Sequence, residues 1–229
     1  RLNNYGYNVD FSAVGNIMVN SSIESVGFVT YTGSTVYSSG GDITLSAGGY
    51  TKVGSSISVN GGSNTYPGGG SSSSGGSVSI SGVGGVTIAA GITALGSGGM
   101  NGAITVSSGN VVATSGGGSG VNDGQVSGVL QGGSFTKSGA GVFVIKGSNG
   151  YTGSTSVSGG VLRLGSSNSI PTGSALSVAG TLDMGGYNQT VRTLSGGGLV
   201  TSSGSGTLVL MVSDNGEVTT YSGVIENGS

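Results

Sequence analysis

The 229-residue sequence contains no histidine and no cysteine. Their absence excludes a Ser-His-Asp triad, a thiol nucleophile, a disulfide framework and any metal site built on imidazole or thiolate. Tryptophan is absent and proline occurs twice, so the chain is neither a proline-rich linker nor collagen-like. Charge is scarce: six Lys or Arg and eight Asp or Glu leave a net charge of −2. The six cations (Arg1, Lys52, Lys137, Lys146, Arg163, Arg192) are scattered. Phosphate recognition needs them clustered, which sets nucleic acid aside as a partner. No apolar run approaches the roughly 18 residues of a membrane-spanning helix. Serine is abundant but has no companion base, no G-x-S-x-G elbow and no G-x-x-x-x-G-K-[ST] phosphate loop. No cofactor and no metal is expected.

Glycine supplies 53 residues, yet 34% of the chain is hydrophobic. Disorder pairs low hydrophobicity with high net charge, and neither holds here, so the chain is expected to fold. Helix formers are rare and glycine interrupts every window of helical length. What recurs is a short strand with period-two alternation: "DITLS" (42–46), "SISVN" (56–60), "SVSIS" (77–81), "AITVS" (103–107), "VFVIK" (142–146), "VLRLG" (161–165), "ALSVA" (175–179) and "TLDMG" (181–185). Each places two apolar side chains on one face.

These strands come in units. Starts at Gly41, Ser77 and Ala103 each open a strand, a glycine-bearing corner, a second strand and a Gly/Ser loop. The longest loop, "NGGSNTYPGGGSSSSGG" (60–76), is expected to project from the body. The pentamer "YTGST" occurs at 31–35 and again at 151–155. Short strands, sharp corners and a recurring unit predict a parallel β-solenoid of roughly ten coils, at about 20–25 residues per coil. An antiparallel sandwich or barrel is the rival architecture, with Asn149-Gly150 and Asn215-Gly216 as hairpin turns.

The stretch 130–171 resembles the autotransporter-associated β-strand repeat of bacterial type V secreted passengers. The elements that carry the likeness are Lys137, Gly139, Gly141, Phe143, Ile145, Gly147, Asn149, Tyr151, Gly153, Thr155, Gly160, Leu162, Leu164 and Gly165. The likeness continues loosely to Ser229. The first half (1–127) is similar in style to the repeats of haemagglutinin-type adhesins. The resemblance implies an all-β, right-handed parallel β-helix, with irregular coils over 1–127 and autotransporter-repeat coils over 128–229 of one body. It also implies display at the bacterial surface or release from it, with a translocator in the outer membrane as partner. The chain is read as a mature form or a segment of a larger protein.

The remaining chemistry is carboxylate and tyrosine. Of eight acids, only Asp214 and Glu217 are close in sequence, in "SDNGE", and a turn is the preferred reading. A polysaccharide-cleaving β-helix would bring two carboxyls within about 5–10 Å of each other. Nine tyrosines could stack on sugars if aligned, but Tyr31 and Tyr151 read as corner residues. Tyr66, with Asn64, tips the long loop and is the candidate adhesion contact, since loops carry binding. A regular outward threonine face can bind ice. The varied outward residues Lys146, Arg163 and Asp183 argue against one here. Three functions follow: a surface adhesin whose rod displays loops to a host, neighbouring-cell or glycan ligand; a filament subunit stacking on itself; and a polysaccharide-binding or -cleaving protein.

Overall fold

The strands of the main body pair in parallel with the equivalent strands of neighbouring coils, the strands at the two ends on one side only. The computed structural model describes residues 2–5, 7–26, 30–32, 35–61, 70–83, 85–88, 91–96, 101–108, 124–126, 129–205, 209–213 and 216–228. Among these residues there is no helix. The strands fall into long parallel sheets of eight, nine and five members. One coil illustrates the path: Ile43–Ala47 lies in the eight-stranded sheet, Tyr50–Val53 in the nine-stranded sheet and Ile57–Ser58 in the five-stranded sheet. The chain then returns to the eight-stranded sheet at Val78–Gly82. Parallel strands require such crossovers, because a two-residue hairpin joins only antiparallel ones. The fold is a parallel β-helix, and the hairpin sandwich is set aside.

Register defines the coil length. Ile43 pairs with Val78, Val78 with Ile104 and Ile104 with Phe135, so early coils take 26 to 35 residues. Phe135 pairs with Thr155, Thr155 with Leu176 and Leu176 with Leu194, so the next three coils of this sheet take 18 to 21. The nine-stranded sheet counts nine rungs, close to the roughly ten expected. The early coils exceed the expected 20–25 residues because inserted chain leaves the body between strands. One insertion, Thr30–Thr32 and Thr35–Ser39, forms an antiparallel pair. Gly70–Ser74 then adds to it in parallel, Gly70 opposite Thr35. The long loop of 60–76 thus includes a strand. "YTGST" at 31–35 spans the antiparallel pair, whereas at 151–155 it leads from a corner into the strand Thr155–Val157. The reading of Tyr31 as a solenoid corner is therefore corrected. Identical pentamers diverge because the later one has a coil on each side to pair with.

The core lies between the sheets as stacked columns. Ile23, Ile57, Ile92 and Leu130 form one, and Phe143, Leu162, Leu182 and Val200 another, all buried. Each fully buried side chain of this size contributes about 1.5–3 kcal/mol. Corner glycines allow the coils to stack. A Cβ on Gly198 would sit 2.1 Å from the carbonyl oxygen of Gly180, one coil earlier. Gly160 (φ +60°) takes a left-handed bend that a side chain would strain.

Candidate functional site

The motif residues of 137–165 divide into apolar wall, corner and buried polar cluster. Phe143, Ile145, Leu162 and Leu164 point inward and are buried. Val142–Ile145 pairs with Val161–Leu164, so one coil separates them. Gly139 (φ +72°) and Gly160 make the bends between the eight- and nine-stranded sheets, and Gly141 is buried beside them. At Gly153 a Cβ would lie 2.6 Å from the Gly133 carbonyl oxygen.

Asn149 replaces a rung of the third face. Its Oδ1 accepts the Leu130 N–H at 2.8 Å, and its Nδ2 donates to the carbonyls of Ser169 (2.7 Å) and Lys146 (3.2 Å). The side-chain amide thereby joins the coil below to the coil above. Gln189 repeats the device: its Oε1 accepts the Ile170 N–H, and its Nε2 donates to the Ile170 carbonyl at 2.8 Å. Asn168 and Asn188 accept the N–H groups of Thr190 and Val209 in the same way. Primary amides carry a donor and an acceptor in peptide-like geometry, which is why they stand in for backbone.

Tyr151 turns into the core, against Phe135 with ring centroids 5.9 Å apart. Its hydroxyl lies 2.6 Å from Thr155 Oγ1, which lies 2.8 Å from Ser174 Oγ. Ser174 donates in turn to the Gly153 carbonyl at 2.9 Å. Burial raises the Tyr151 pKa, against a smaller lowering effect of the Thr155 hydrogen bond. The cluster is closed to solvent, so it braces the corner and offers nothing to a ligand.

The acids disperse. Asp42 accepts the Ser77 N–H at 2.7 Å as a corner brace. Asp183 pairs with Arg163, and Glu217 with Arg192 at 2.7 Å. Asp123 and Asp214 lie outside the described residues, as do Asn64 and Tyr66. Among the described residues no three of His, Cys, Asp or Glu gather. Of the tyrosines, Tyr7 precedes the first rung of the eight-stranded sheet, Tyr151 is internal, and Tyr187 is half-exposed many coils away. Where the last strands meet, a groove of about 240 Å³ is lined by Met184, Leu194, Val200, Leu210, Val212 and Ile225.

The outward faces differ sharply. On the nine-stranded sheet the outward column includes Lys52, Val144, Arg163, Asp183 and Thr201. On the eight-stranded sheet it runs Asp10, Thr44, Ser79, Thr105, Thr136, Ser156, Ser177 and Ser195. A second column beside it carries Ser12, Ser46, Ser81, Ser107 and Ser138. The expectation that outward residues vary therefore holds for one sheet and fails for the other. Period-two alternation was visible in each strand, but only register places Thr44, Ser79 and Thr105 in one line. From Thr44 onward both columns are uncharged and hydroxylic. The rungs are spaced by about 4.8 Å, and alternate residues along a strand by about 6.6 Å.

The passenger-associated-transport-repeat family matches residues 135–164 and 200–229. Two stretches of the chain thus carry the repeat of exported passengers. A 99-residue stretch is 41% identical to the Adhesin BmaC autotransporter of Brucella suis biovar 1 (strain 1330), covering 41% of this chain and 3% of that adhesin. No solved structure matches the chain. The two family matches begin on different faces of the chain. Phe135, at the start of the first, pairs with Ile104 and Thr155 in the eight-stranded sheet. Val200, at the start of the second, pairs with Leu182 and Ile225 in the nine-stranded sheet.

Proposed function

We propose that this chain is an adhesive, non-catalytic passenger: a β-helical stalk whose flat hydroxylic face on the eight-stranded sheet is its contact surface. The observation that carries the reading is the in-register Ser/Thr column from Thr44 to Ser195, with a serine column from Ser46 to Ser138 beside it. Parallel pairing fixes their spacing, and the core behind them holds them still, so ordering the surface costs little entropy on contact. A face without charge suits a neutral, hydroxyl-rich partner such as a surface glycan. Similarity to an adhesin supports the adhesive class. The lack of histidine and cysteine supports the non-catalytic one. The irregular coils of 1–127, with the 60–76 loop and its Asn64 and Tyr66, form a second display region in this reading, and the translocator of the outer membrane is the partner in export.

The test replaces Thr105, Thr136 and Ser156 together by lysine and measures adhesion of chain-coated beads to cells and to neutral polysaccharide. Adhesion should fall while the melting temperature stays put, because all three side chains point outward. Unchanged adhesion would remove the hydroxylic face from the reading. Loss on deleting 62–75 instead would transfer the role to the loop.

A further inference from the structure

One inward column of the eight-stranded sheet reads Leu45, Ile80, Val106, Lys137, Val157 and Val178. A lysine stands among five aliphatic side chains and is fully buried. Its methylene stem fills the space an aliphatic residue would fill. Its Nζ donates to three main-chain carbonyls, those of Ser138 at 2.5 Å, Gly139 at 2.9 Å and Gly159 at 3.2 Å. The first two belong to the lysine's own corner and the third to the next coil. An ammonium has three N–H donors and no acceptor, so donors and acceptors match in number. Among the described residues no carboxylate pairs with it: the ion pairs there are Arg163–Asp183 and Arg192–Glu217.

The second family match gives an internal comparison. Setting 200–229 over 135–164 places Ser202 at the position of Lys137. The Ser202 hydroxyl donates to the Gly204 carbonyl, two residues on, as Lys137 does to that of Gly139. There a neutral hydroxyl suffices. At the first match three carbonyl oxygens converge on one point, an arrangement that asks for a cation with three donors.

We propose that the corner of Ser138, Gly139 and Gly159 is a receptor for a primary ammonium ion, with Lys137 as its built-in ligand. The recognised chemistry is the three-donor cation head, and the stem only delivers it. A quaternary ammonium, which has no N–H, does not fit.

The experiment uses the full chain carrying Lys137→Ala, with its thermal midpoint followed against added ethylammonium or tetramethylammonium chloride at equal ionic strength. Ethylammonium should raise the midpoint with a saturating dependence and leave the wild type unmoved, while tetramethylammonium does neither. An equal response to both salts, or an equal rise in the wild type, overturns the proposal. Should the variant fail to fold, the wild type decides by amine acylation under native conditions and peptide mass spectrometry. Lys137 should react about tenfold or more slower than exposed Lys52 and Lys146, because the reagent must wait for local opening. Reaction of Lys137 at the rate of Lys146 overturns the proposal.

Discussion

Arg163 Nε lies 2.6 Å from Asp183 Oδ2, one coil away on the outward column of the nine-stranded sheet. The two residues are register partners, so the parallel ladder itself brings the opposite charges together. Asp183 also accepts the N–H groups of Ser203 at 2.8 Å and Gly185 at 2.9 Å. Its carboxylate therefore ties three successive rungs. Burial alone would raise its pKa, but the Ser203, Arg163 and Gly185 hydrogen bonds hold it below the ordinary value of 3.8.

Asp183→Ala should destabilise the chain by about 2 kcal/mol, mainly through the partners left unpaired. The folded pKa lies below the unfolded one, so the contribution of Asp183 is present above the ordinary carboxylate range and is lost as pH falls through the folded value. Urea midpoints between neutral pH and strong acid should show a smaller acid loss in Asp183→Asn than in the wild type. Equal acid sensitivity in the two would contradict this role.

The buried hydroxyl chain predicts coupling. Tyr151→Phe and Thr155→Val should each cost about 1–2 kcal/mol, since each leaves a buried hydroxyl partner unmatched. The double variant should cost less than the two single losses added together, because the second removal finds its partner already gone. Tyr151 is also expected to ionise late in an absorbance titration. Its folded pKa is raised above the unfolded value, so its contribution holds below pH 10 and is lost as pH climbs towards the folded value.

Asn149→Asp tests the amide rung. The carboxylate keeps the acceptor for Leu130 but turns two donated hydrogen bonds, to Ser169 and Lys146, into repulsions. A loss of about 2–4 kcal/mol is expected in chemical denaturation at neutral pH, partly restored in acid as the side chain regains a proton. An unchanged midpoint would show that the rung carries no weight.

Lys137 makes stability rise with alkali. Burial lowers its amine from 10.5 to about 8. The folded value lies below the unfolded one, and between them the unfolded chain holds more of the proton. Stability should therefore climb from about pH 8 towards 10.5, and Lys137→Met should lack that slope. Tyr151 and Tyr221, both raised by burial, pull the other way above pH 10, so the measurement belongs between pH 8 and 10.

Much of the fold was legible because its determinants are local. Period-two alternation in "DITLS" or "VLRLG" fixes which side chains share a face, and scarce helix formers leave strands as the alternative. The ordered set from Lys137 to Gly165 marked a coil for the same reason. The burial of Lys137 was also in view: in "FTKSG" it stands two residues from Phe135 and hence on the same face. A lone lysine in a sequence reads as solvated, and nothing nearby announces three carbonyls arriving from two coils. Tyr31 misled in the opposite direction, since "YTGST" carries no mark of whether neighbouring coils will flank it.

By itself, then, the sequence determined strand content, the inward faces, the corner glycines and the absence of imidazole and thiol chemistry. These depend on residue type and on spacing of a few positions. Tertiary structure alone decided which strands are rung neighbours, with coils of 26 to 35 residues early in the eight-stranded sheet and 18 to 21 later in it. Register between residues tens of positions apart then aligned the hydroxyls of Thr44 to Ser195, paired Arg163 with Asp183 and gathered carbonyls around Lys137. Hydrogen bonds between coils are non-local, and insertions of variable length hide their phase until the chain has closed each turn.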